Sequence, residues 1–171
     1  MNVYVVVLRL VHILAGVFWI GGALMVSWFL LPAVQAAGPA GGSVMQKFAV
    51  DRRAPTWLTA AAGLTVLAGL LLFWEVSGHL EGTWLSSPQG MTISIGAAFG
   101  IVAAVLGIAI GAPTTKRVVA LGGAIAAGGQ PPSPEQAARL GALQRRSAGT
   151  IRWVSILGAV AVACMAVAEY V

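Results

Sequence analysis

Charge is what this chain has least of. Only 9% of its 171 residues are Asp, Glu, Lys or Arg, while 58% are hydrophobic. Soluble domains carry about 25% charged residues, so a water-solvated surface around one core is excluded and a polytopic membrane protein is the class that remains. Cysteine is nearly absent as well. Cys164 stands alone, which rules out an intrachain disulfide and any zinc site built on cysteines. Acidic residues number 5 and histidines 2, and Asp51 is the sole aspartate. Asp51 is expected on the opposite side of the membrane from both histidines, so no Ser-His-Asp arrangement has a plausible base. No Gly-rich phosphate loop stands between a strand and a helix. The sequence thus shows no self-contained catalytic apparatus. The net charge of +5 does not point to nucleic acid, because the cations flank apolar spans, where membrane topology accounts for them.

Long apolar runs are what the chain does have. The first, YVVVLRLVHILAGVFWIGGALMVSWFLL, spans roughly 42 Å as a helix against about 30 Å of hydrocarbon, so it tilts or protrudes. It is too long for a signal-peptide core and lacks a basic n-region, so it is expected to be retained. Pro32 is expected to terminate it. Four spans follow from the pattern, at about 4–31, 56–76, 91–112 and 150–169, in one domain covering 1–171. A linker rich in Gly and Ala joins the first two, with a short interfacial helix expected around 44–50. Pro113 is expected to kink the third span, and apolar spacing beyond it continues to Gly128-Gly129. Ser133, Pro134 and Gln136 form a capping box opening the last helix. Residues 113–149 therefore read as a helical hairpin that prolongs the third and fourth spans.

The basic residues set an expected orientation. Every Lys and Arg except Arg9 lies on the first linker, on the hairpin, or at Arg152 beside it, and the loop between the second and third spans has none. By the positive-inside rule the hairpin is cytoplasmic and both termini face outward. Trp28, Trp57 and Trp153 then mark the inner interface, and Tyr4, Trp74, Trp84 and Tyr170 the outer one. The fold expected is an all-α four-helix membrane bundle, N-out and C-out. Gly96, Gly100, Ala104, Gly107 and Gly111 form a small-xxx-small ridge on the third span, suited to close helix packing.

Ionisable residues inside the apolar run are the functional candidates. Arg9, His12, Gly16, Trp19 and Ala23 share one helical stripe. With the expected topology His12 lies roughly 12 Å below the outer end of the first span. Ionisable groups at that depth normally face protein, water or a ligand. His79, Glu75, Glu81, Glu169, Met1, Met91, Cys164 and Met165 fall toward the same outer end. Nitrogen and soft sulfur donors together suit copper, and His12, His79 and Met165 are the candidate metal ligands. A neutral imidazole between helices also suits an axial position on haem b, with Arg9 and Trp19 beside it. The structural alternative is open on the same residues: Arg9 pairs with Glu75 or Glu169, His12 bonds a backbone carbonyl or a hydroxyl, His79 is a solvated loop residue, the methionines and Cys164 pack, and Trp19 fills the core or walls a pocket.

The stretch VHILAGVFWIGGALMVSWFLLPAV, with His12, Trp19 and Gly21-Gly22, resembles the first helix of small four-helix bacterial membrane proteins related to the copper-resistance D (CopD) family. TKRVVALGGAIAAGGQPPSPEQAARLGALQRRSAG is similar to the linker of uncharacterised members of that group. A histidine followed by W-x-G-G also occurs in HemJ-type protoporphyrinogen oxidases. The resemblance implies copper handling, with His12 as the matching position. The chain departs from the larger copper-resistance proteins in having four spans and few His or Met. The expectation is an accessory inner-membrane module in bacteria, holding copper or haem b near His12. The alternative is a non-catalytic subunit packing in a larger respiratory or photosynthetic membrane complex through its glycine-rich faces and the hairpin.

Overall fold

A computed structural model describes residues 2–171, apart from the side chain of Pro39. All regular structure among them is helical. Four helices are long and apolar enough to cross a membrane: α1 (Val3–Ala36), α3 (Ala54–Val76), α5 (Pro88–Ala127) and α6 (Pro134–Tyr170). Between α1 and α3 lies the short α2 (Pro39–Gln46), and between α3 and α5 the single-turn α4 (Gly82–Leu85). The chain is read as a multi-pass membrane protein.

Local sequence accounts for the helix ends. Asn2 caps α1 by accepting from the Tyr4 amide, and Ser87 caps α5 by accepting from the Gly90 amide. At the start of α6 the Ser133 Oγ accepts from the Gln136 amide while the Gln136 Oε1 accepts from the Ser133 amide, the full reciprocal box. Pro88 and Pro134 occupy the first helical position, where a missing N–H costs nothing. Gly128 ends α5, and Gly129 follows in the left-handed region at φ 63°.

Pro32 does not terminate the first span, and α1 runs on to Ala36. The backbone instead adopts π-helical hydrogen bonding over Val26–Leu30, just before the proline. The same device recurs in α5, where Leu106–Gly111 is π-helical and Pro113 follows two residues later. A proline inside a helix removes one N–H and its ring crowds the carbonyl four residues back. Shifting the preceding turn to i→i+5 bonding relieves that crowding without breaking the rod. A third π segment, Lys47–Asp51, continues α2 on the linker.

Small residues face inward and large ones outward. Trp19, Ile20, Ala23, Ala62, Ala103, Ala104 and Val154 form the core, so every long helix contributes and most contributors are alanine. Leu14, Val17, Phe18, Phe29 and Leu67 are more than half exposed. That distribution suits helices that pack backbone to backbone with lipid outside. Helix α1 packs antiparallel on α3, and α5 antiparallel on α6, while α1 also touches α6. Along α5 the small-residue ridge meets α6: Gly96 faces Cys164, Gly100 faces Ala161, Gly107 faces Val154 and Gly111 faces Thr150. The ridge is therefore occupied within the chain. Across α1 and α6 the Ser27 Oγ donates to the Ser155 Oγ at 3.1 Å, and the Arg152 guanidinium lies 4.7 Å over the Trp28 ring. Lower down, the hydroxyls of Thr115 and Ser147 join α5 to α6 at 3.1 Å.

Candidate ligand site at His12

The contact between α1 and α3 is built on a run of small residues. Going along α1 from His12 to Gly22, the partners on α3 run backwards: His12 lies on Gly69, Gly16 on Thr65, and Gly22 on Leu58. A Cβ at Gly69 would stand 2.7 Å from the His12 Cε1 and 2.9 Å from its Nδ1. Only glycine lets the ring come this close to the α3 backbone. The ring uses that access: His12 Nδ1 lies 2.8 Å from the Thr65 carbonyl oxygen.

This bond fixes the chemistry of the imidazole. A carbonyl oxygen only accepts, so Nδ1 carries the proton. In the neutral ring Nε2 is then the basic nitrogen, with its lone pair directed away from Thr65. Thr65 is itself buried, and its hydroxyl is satisfied by donating 2.7 Å to the Ala61 carbonyl, so it does not compete for the ring. No hydrogen-bond partner of Nε2 occurs among the described residues, and among them no buried side-chain nitrogen or oxygen lacks a partner. Nε2 therefore reaches the surface of the protein. Metal- and haem-bound histidines usually have this arrangement, with the far ring nitrogen held by a carbonyl or carboxylate.

The other sequence candidates each have neighbours of their own. Arg9 shares the stripe but is exposed, one turn before His12. Trp19 is 5% exposed and does both things expected of it as alternatives: it belongs to the core and walls a cavity toward the far ends of α1 and α3. That cavity does not reach His12. His79 is exposed in the loop after α3, in the left-handed region at φ 65°, with its ring centroid 5.1 Å from that of Trp74. The Met165 methyl and the Cys164 Cβ both lie against Gly96 on α5. Met1 is outside the described residues. Among those described, no three His, Cys, Asp or Glu side chains come together in a way that holds a metal ion.

The donor set can be tested against the two cofactors. For copper, the neighbours seen are separate ones: His12 bonds Thr65, His79 lies beside Trp74, and the Met165 methyl lies against Gly96. For haem, the imidazole oriented by Thr65 would offer Nε2 as a single nitrogen donor to the iron. Sequence reasoning identified His12 but not Thr65 or Gly69, since a backbone carbonyl leaves no mark on composition or spacing. No protein-family model, curated protein or solved structure matches the chain.

Proposed function

We propose that this is a non-enzymatic accessory protein of a bacterial inner membrane. It presents the Nε2 of His12 as one axial ligand to a b-type haem shared with a partner chain. The observation that carries this reading is the Nδ1–H bond to the Thr65 carbonyl, which leaves a basic lone pair on Nε2 at the protein surface. An unpartnered nitrogen at that depth is costly, so a ligand or a partner is the expected complement. The resemblance of the His12–Trp19–Gly21-Gly22 stretch to CopD-related and HemJ-type helices supports a cofactor-associated role. The positive-inside distribution supports a four-helix bundle with both termini outward and the α5–α6 hairpin in the cytoplasm.

A second reading rests on the same nitrogen. As a structural subunit of a larger membrane complex, the chain uses Nε2 to accept a hydrogen bond from a neighbouring subunit, with no cofactor at all. One preparation separates the two: protein purified gently from its own membranes, examined by reduced-minus-oxidised absorption, metal analysis and co-purifying chains. A Soret band present in the wild type and lost in folded His12→Ala supports the haem reading. A colourless protein whose partner is lost in His12→Ala supports the structural one. Stoichiometric copper lost in His12→Ala would favour copper over haem at the same nitrogen.

A further inference from the structure

The strongest unassigned feature lies at the opposite end from His12. A partly open cavity of about 130 Å³ sits between α1, α3, α5 and α6, closed on one side by the α2 linker. Its walls include Trp19, Ala23, Phe48, Leu58, Ile108 and Val154. The hydroxyls that reach it are satisfied within the protein: Thr59 donates to Pro55, Thr150 to Arg146, and Thr115 and Ser147 bond each other. A largely apolar space whose few hydroxyls are already hydrogen-bonded favours apolar groups over water.

Two independent observations mark this cavity as a site. First, all three π-helical segments border it, through Val26, through Phe48 and Ala49, and through Gly107, Ile108 and Gly111. Two of these follow from Pro32 and Pro113, but Lys47–Asp51 has no proline within three residues of its end, and such segments concentrate at functional positions. Second, the chain flanking the walls is predominantly cationic. Lys47 and Arg52 bracket the linker wall, Lys116 follows Thr115, and Arg146 precedes Ser147; all four are exposed. Asp51 is the one acid beside them on the linker.

We propose that the cavity holds a segment of one acyl chain of an anionic phospholipid, with the lipid phosphate among these cations. The apolar wall recognises the chain and the basic rim selects the headgroup. The proposal concerns a different end of the molecule from His12 and does not depend on the haem reading.

Native mass spectrometry of detergent-purified protein, incubated with phosphatidylglycerol or phosphatidylcholine of the same chains, tests it. The wild type should retain one phosphatidylglycerol and discriminate against phosphatidylcholine. Ala49→Phe, which fills the cavity from the linker side, should abolish that retention; Met45→Phe serves if the first variant does not fold. Lys47→Gln with Arg52→Gln should weaken phosphatidylglycerol by about five-fold per cation removed and leave phosphatidylcholine unchanged. Equal retention of the two lipids overturns the proposal. So does anionic lipid that survives the cavity-filling variants, since it is then bound to the basic surface alone. Loss on filling without any effect of the charge variants also overturns it, because the rim then selects nothing.

Discussion

Gly69 of α3 stands directly beneath the imidazole of His12 on α1, with room for the ring and none for a methyl group. The closeness of the two helices, the bond to Thr65 and the direction of the free Nε2 all depend on that missing side chain. Gly69→Ala should push the ring off the Thr65 carbonyl and destabilise the protein by about 1–3 kcal/mol through overpacking. Thermal melts in detergent read the loss. Gly63, six residues earlier on the same helix, has open space where a Cβ would go. Gly63→Ala should therefore leave the melt unchanged or raise it by up to about 1 kcal/mol from helix propensity. Equal losses at the two glycines would contradict the packing described.

Ile20 and Gly158 make the tightest contact between α1 and α6, where an added Cβ would run into the Ile20 Cδ1. Gly158→Ala should cost about 1–3 kcal/mol. Ile20→Val removes the offending methyl and by itself costs about 0.5–1.5 kcal/mol. Combined, they should cost less than the two separately by at least about 0.5 kcal/mol, because the second change makes room for the first. Strict additivity in a double-mutant cycle would show that the contact does not govern the pair.

Arg152 and Trp28 join the same two helices nearer the basic end. Arg152→Gln should weaken the protein by about 0.5–1 kcal/mol in the presence of Trp28 and by less with Trp28→Leu. An identical loss in both backgrounds would remove the cation–π contact as a contributor.

Pro113 and the π segment before it are cause and consequence. Pro113→Ala restores an N–H that can bond the Ala109 carbonyl, so the Leu106–Gly111 segment should tighten toward α-helical bonding. Amide exchange across that segment should slow, and stability should rise by up to about 3 kcal/mol, the cost of an interior proline. Unchanged exchange would mean that packing against α6, not the proline, holds the π register.

Much of this was legible in the sequence, and the exceptions have physical causes. The capping box at Ser133, the small-residue ridge on α5 and the helix ending at Gly128 all stand where local chemistry put them. The third long helix begins at Pro88 rather than near residue 91, because Ser87-Pro88 is a cap-and-first-turn signal like Ser133-Pro134. Pro32 illustrates the opposite failure. Its termination signal is overridden because the π register before it relieves the clash of the proline ring, so the helix continues to Ala36. At the candidate site, His12 stands out in the sequence as an ionisable residue within an apolar run, whereas its partner is a main-chain oxygen brought near by tertiary packing. The cavity was invisible for the same reason: its walls come from four helices and a linker.

The central claim is that His12 holds its proton on Nδ1 and keeps Nε2 free. Nitrogen-15 NMR of the histidine ring, in protein produced without added haem and held in detergent or nanodiscs, tests this most directly. His12→Ala assigns the signal, leaving His79 as the only other histidine. The account predicts a protonated Nδ1 and an unprotonated Nε2 for His12, a pattern lost in Gly69→Ala. A ring protonated on Nε2 with a bare Nδ1 would contradict the bond to Thr65, and with it the basis for a ligand at this position.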